Sequence, residues 1–140
     1  MTDDQVKNIL KTSRTVASVG LSSDETKDSY GVVVYLKRAG YRILPINPKA
    51  EKILGEKAYK DLLSIPRREV VDIVQVFRPA NEAPAIVEQA IQIGAKVIWM
   101  QEGIVNEAAA ERARAAGLQV IMDHCMMQEH RRLLARSPTD

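Results

Sequence analysis

The sequence specifies an α/β fold, a doubly wound parallel sheet of five strands in a three-layer α/β/α arrangement. Three observations carry this. Five short runs rich in valine and isoleucine occur, several of them apolar throughout rather than alternating, as strands covered on both faces must be. Between them lie segments with helical spacing, and three of these end at a glycine (Gly40, Gly94, Gly117), where a left-handed cap is cheapest. Strands alternating with crossovers of this length form βαβ units, and right-handed crossovers wind such units into one sheet, with an expected strand order of 3-2-1-4-5.

The elements follow in order. A helix is expected at residues 4–11, then the first strand at Thr15–Val19. Val33, Leu36 and Ala39 set the apolar spacing of a helix over 30–39, with Asp28 or Ser29 as its cap. The second strand is Arg42–Ile46; residues 48–68 then read as an irregular connection with a short helical piece near 62–65. A third strand at 70–77, a helix at 82–93, a fourth strand at 96–100, a helix at 106–116 capped by Asn106, a fifth strand at 119–122 and a helix at 126–135 complete the chain.

Composition bounds the function. A chain of 140 residues buries about two-thirds of its unfolded surface, so a single domain over residues 1–140 is expected. With 46% hydrophobic and 27% charged residues it reads as an ordinary folded chain and not a disordered one. The 20 basic and 18 acidic side chains balance too closely for general adhesion to nucleic acid or to an anionic membrane, so any anion site must be local. The lone cysteine, Cys125, excludes an internal disulfide, the first four residues are neither basic nor apolar, and no run approaches the roughly 18 apolar residues of a membrane span. A cytoplasmic protein is expected.

The first strand stops at Gly20 and gives way to a polar loop containing Ser22, Ser23 and Ser29 before the next helix. In such sheets ligands bind beyond the carboxyl ends of the strands, where a glycine admits the ligand to the backbone and a helix start offers free amides to a phosphate. The second strand ends in Asn47, Pro48 and Lys49 and the third in Val76, Phe77 and Arg78, so a cation and an aromatic face reach the same edge. Each residue alone also fits a plain role: Gly20 and Asn47-Pro48 as turns, Phe77 as core, Arg78 as a solvated charge. The glycine spacing is not a dinucleotide fingerprint, and no acidic residue ends the second strand. Lys49 suits a ribose phosphate, which leaves coenzyme A, with its 3′-phosphate, and NADP both open.

After the fourth strand, Gln101, Glu102 and Gly103 with Asn106 and Glu107 build a further amide-rich rim. The segment Asp123, His124, Cys125, followed by His130, invites a nucleophile or zinc reading. Zinc needs more Cys or His than this one segment holds, and the plain alternative is a buried Cys125, a capping Asp123 and a surface His130. No metal site and no catalytic residue is assigned. Arg131, Arg132 and Arg136 form a basic end on the last helix, suited to its C-terminal dipole or to a partner subunit.

With these residues in hand, the chain resembles the small stand-alone coenzyme A-binding proteins, whose Rossmann-like fold is similar to the nucleotide-binding domain at the head of the succinyl-CoA synthetase α-subunit. The carriers are Val19 to Ser22 with Ser29 and Tyr30, Pro45 to Pro48, Val76 to Arg78, Gly94 to Lys96, Trp99 to Glu107, Asp123 to Cys125, and Glu129 with His130. The resemblance implies that Gly20, Leu21 and Ser22 cradle the pyrophosphate, with Ser29 and Tyr30 beside them. It implies that Asn47, Pro48 and Lys49 flank the 3′-phosphate, that Val76, Phe77 and Arg78 border adenine and ribose, and that Gln101 and Gly103 lie near the pantetheine. His124 stands where the family often has arginine, and Asp28 where proline is common. Neither histidine matches the phosphorylated histidine of the larger synthetases, so the resemblance implies binding of coenzyme A or an acyl-CoA without ligation. The alternatives are an NADP-binding oxidoreductase-like domain, for which no Tyr-x-x-x-Lys pair is present, and a regulatory or assembly domain with a vestigial site. A homodimer or an unknown protein partner is compatible with either.

Overall fold

The computed structural model describes residues 1–134. Helix α1 (Asp3–Thr12) opens with a capping box, the Thr2 hydroxyl accepting from the Gln5 amide at 3.2 Å while the Gln5 side chain accepts from the Thr2 amide at 2.8 Å. Strand β1 (Thr15–Val19), helix α2 (Asp28–Arg38) and strand β2 (Arg42–Ile46) follow. A small hairpin, β3 (Lys52–Ile53) with β4 (Glu56–Lys57), and a single 3₁₀ turn at Leu62–Ser64 fill the second crossover. Strand β5 (Ile73–Val76), helix α3 (Ala83–Gln92), strand β6 (Val97–Met100), helix α4 (Glu107–Ala115), strand β7 (Gln119–Ile121) and helix α5 (Met126–Leu133) complete the fold.

The five main strands are parallel, as expected, but their order is β2-β1-β5-β6-β7, so the five long runs are arranged 2-1-3-4-5 and not 3-2-1-4-5. The physical reason sits in β2. Pro45 has no N–H to give to a ladder, and its carbonyl faces outward to accept from the Tyr59 amide at 2.9 Å. A proline is tolerated on an edge strand and not in a central one, which places β2 at the rim. Strand β1 is buried along its whole length, and β5 takes its other side, held there by the Asp72 carboxylate, which accepts from the amides of Arg14 (2.8 Å) and Thr15 (3.0 Å).

Alternate residues of each strand enter two cores. Val16, Ile43, Ile73, Val97, Trp99 and Ile121 pack beneath α1, α2 and α5 with Ile9, Val33, Leu36 and Met126. Ala17, Leu44, Val74, Val76, Ile98 and Met100 pack beneath α3, α4 and the 3₁₀ turn with Leu62, Val87 and Ala110. The predicted helices appear with ends shifted by one or two residues. The third strand is shorter than expected, because Val70 is solvent-exposed in irregular backbone and pairing begins only at Ile73. Ala135 and Arg136, assigned from sequence to the last helix, lie outside the described residues. Among the described residues no helix is long and apolar enough to cross a membrane.

Candidate functional site

From β1 the chain winds toward β2 on one side and, after β5, toward β7 on the other, so the carboxyl ends of β1 and β5 flank the point where the winding reverses. A two-part cleft opens there. One compartment, about 520 Å³, lies on the α3 side beside Asn47, Pro48, Lys49, Lys60 and Arg78. The other, about 980 Å³, runs along the start of α2 past Phe77, Gln101 and Cys125. Gly20 and Ser22 line both.

Gly20 is needed at this saddle for two reasons. Its φ of +91° is a conformation that side chains resist, and a Cβ there would come within 2.8 Å of Cδ and 3.1 Å of Cγ of Arg78. The stem of Arg78 thus lies across the glycine. Its guanidinium grips Glu82 through Nε (3.1 Å) and Nη2 (2.7 Å), and that hydrogen-bonded pairing raises the arginine's pKa and lowers the glutamate's.

The amides expected to cradle a phosphate are already spoken for. Gly20 N–H donates to the Ile46 carbonyl (3.0 Å), Leu21 N–H to that of Ser18 (3.5 Å) and Ser22 N–H to the Ser29 hydroxyl (3.1 Å). Neither Asp28 nor Ser29 caps α2. Lys27 holds the cap position without a side-chain hydrogen bond, because the Ser29 hydroxyl is turned back to the loop. The amides of Asp28 and Ser29 consequently have no partner among the described residues, and they begin the helix that borders the larger compartment.

Asn47 is a clasp. Its Oδ1 accepts from the amides of Lys49 (2.8 Å) and Ala50 (3.2 Å), while its Nδ2 donates to the Leu21 carbonyl (3.0 Å), joining the loops after β1 and β2. This leaves Lys49 at the mouth of the smaller compartment, where Lys49, Lys60 and Arg78 face Asp61 and Glu82. The larger compartment has the opposite balance, Lys27 against Glu25, Asp28 and Glu102. An anionic group is therefore favoured in the first and disfavoured in the second.

Of the residues singled out from sequence, Gly20, Ser22, Ser29, Asn47, Pro48, Lys49, Phe77, Arg78 and Gln101 line the cleft. Leu21 and Val76 are core side chains, Tyr30 packs at the edge of the α2-side core, and the Gly103 amide donates to the Asp123 carboxylate at 2.6 Å. Asp123 is thus a loop clasp. His130 is no surface residue: half-buried, it bonds the Tyr35 hydroxyl at 2.8 Å, and burial lowers its pKa. Among the described residues no three His, Cys, Asp or Glu side chains gather as a metal site. Lys60 was not anticipated, since it reaches the cleft only because the β3–β4 hairpin returns the chain to the end of β2.

A doubly wound α/β domain with a divided, phosphate-compatible cleft at its switch point is a nucleotide-binding type of domain. This chain belongs to the family described as the CoA binding domain, whose profile matches residues 14–131. It is 38% identical over 126 residues to the uncharacterized protein YneT of Bacillus subtilis, covering 90% of this chain and 92% of that one. It is 35% identical over 85 residues to the ADP-forming acetate–CoA ligase II of Archaeoglobus fulgidus; that match covers 59% of this chain but only 12% of the ligase. Among solved structures, a hypothetical protein from Pyrococcus horikoshii superposes with a TM-score of 0.92 at 40% identity over 96% of this chain and 93% of the other. A Thermus thermophilus protein gives 0.90 at 33% identity, over 96% and 100%. The resemblance drawn from sequence is borne out at the level of family and fold.

Proposed function

We propose that the divided cleft binds coenzyme A or an acyl-CoA, acting on the cytoplasmic pool of these molecules as a binding module without turnover of its own. The adenosine 3′-phosphate end occupies the smaller compartment against Lys49, Lys60 and Arg78. The diphosphate crosses the Gly20 and Ser22 saddle toward the unpaired amides of Asp28 and Ser29, and the uncharged pantetheine extends past Phe77 toward Gln101 and Gly103. Leu21, Tyr30 and Val76 shape the walls from behind, and Pro48 borders the smaller compartment.

The observation that carries this reading is the match between an elongated ligand with its phosphates toward one end and two joined compartments, of which only the smaller is lined by an excess of cations. NADP fits less well, because it offers no long flexible arm to fill the larger compartment of about 980 Å³. Charge-assisted phosphate contacts of roughly 1.5–3 kcal/mol each, offset by ordering of exposed lysines, give an affinity in the micromolar range. Isothermal titration with coenzyme A tests it, with NADPH as the competing ligand. Heat and a one-to-one stoichiometry with coenzyme A are expected; saturable binding of NADPH alone refutes the proposal.

A further inference from the structure

A hydrogen-bonded relay crosses the middle of the sheet on the face that packs beneath α1, α2 and α5. Ser18 on β1 and Gln75 on β5 are both 0% exposed, and Gln101, just after β6, is 6% exposed. The Ser18 hydroxyl donates to Gln75 Oε1 at 2.7 Å, Gln75 Nε2 donates to Gln101 Oε1 at 3.1 Å, and the Met126 amide donates to the same Gln101 oxygen at 3.0 Å. A backbone N–H cannot accept, so the Met126 amide fixes which end of the Gln101 carboxamide is oxygen. Both acceptor sites of that oxygen are then filled.

What is left is the Gln101 NH2, which has no partner among the described residues. It is not sealed in the protein, since no wholly buried side-chain nitrogen or oxygen among the described residues lacks a partner. The open space that Gln101 lines is the larger compartment. A polar group without a partner is costly in a buried chain, and the one side-chain nitrogen of this relay with none among the described residues belongs to Gln101, which lines the cleft.

We propose that Ser18 and Gln75 are positioning residues that lock Gln101 as a one-way hydrogen-bond donor to an uncharged carbonyl, an amide or thioester oxygen, on the ligand's arm. This rests on the binding mode proposed above and adds to it a direction: the site selects an acceptor at this depth. A ligand presenting only a donor or an apolar group there leaves the carboxamide unpaired.

The test compares coenzyme A with adenosine 3′,5′-bisphosphate, which lacks the arm, by calorimetry on the full chain. Gln101→Glu, nearly the same shape but with an acceptor in place of the NH2, is expected to weaken coenzyme A by about tenfold or more, the ratio that roughly 1.4 kcal/mol produces. Binding of the bisphosphate is expected to stay within about twofold, since it makes no contact at this depth. Ser18→Ala, which removes only the far end of the relay, should show the same split more weakly. In the free protein, the Gln101 side-chain NH2 resonances should shift on addition of coenzyme A and not of the bisphosphate. Equal loss of both ligands in the variants, or unmoved Gln101 resonances in saturated coenzyme A complex, overturns the assignment. A wild-type protein that binds neither ligand overturns the binding mode itself.

Discussion

Replacing Gly20 by alanine tests the saddle most directly, and Gly31→Ala is its internal control. At Gly20 the new methyl meets Arg78 Cδ at 2.8 Å and Cγ at 3.1 Å, and the backbone sits at φ +91°. The side chain of Arg78 can swing aside, so the irreducible cost is the backbone conformation, about 1–2 kcal/mol for a residue with a Cβ. For a chain of this size each kcal/mol moves the melting temperature by roughly 3–4 °C, giving a fall of about 3–8 °C. Gly31 is helical, and its Cβ would meet nothing within 4 Å. Alanine there gains helix propensity of about 0.5–1 kcal/mol and should raise the melting temperature by roughly 2–4 °C. Scanning calorimetry on both variants decides the matter: opposite signs are expected. A Gly20→Ala protein melting at or above wild type would show that the saddle is not built as described.

Three further outcomes are expected. Lys49→Ala and Lys60→Ala should each weaken coenzyme A by about three- to tenfold, exposed cations being worth around 1 kcal/mol, while 3′-dephospho-coenzyme A changes by less than about twofold in the same titration. Asp72→Ala should destabilise by about 2–4 kcal/mol in urea unfolding, because two backbone amides lose their acceptor. Burial alone would raise the Asp72 carboxyl, but the Thr15 and Arg14 amides and Lys96 outweigh it and hold it below its ordinary 3.8. Its contribution is therefore present above pH 3.8 and lost as pH falls through the lower folded value, so Asp72→Asn should flatten that acid limb. His130 runs on the same sign higher up. Burial holds its folded pKa below 6.5, so the unfolded chain binds the proton first and stability falls as pH drops below 6.5, an effect that His130→Gln should remove from the urea midpoint.

The sheet and its helices were legible because parallel strands are apolar on both faces and because Gly40, Gly94 and Gly117 close helices with positive φ. The strand order was misread although its signal was present: Pro45 inside the second run demands an edge, and the default winding order overrode it. The β3–β4 hairpin left almost no trace, since two-residue strands have no periodicity to read. At the site, residue types pointed to the right edge of the sheet, but not to which groups are free. That Ser22 N–H is bound by Ser29, or that Asn47 ties its own loop to the Leu21 carbonyl, depends on distances across the fold that spacing along the chain does not encode.

The outward proline of β2 also governs how this molecule meets its own kind. One position on that rim lacks a hydrogen to offer, and the strand segment at Tyr59 occupies its neighbours through the Pro45 carbonyl and the Asn47 amide. A fibril seed or an invading peptide that templates on main-chain groups finds the stretch from Pro45 to Asn47 already taken. The opposite margin is a strand of only three residues, a brief foothold for a stranger to extend.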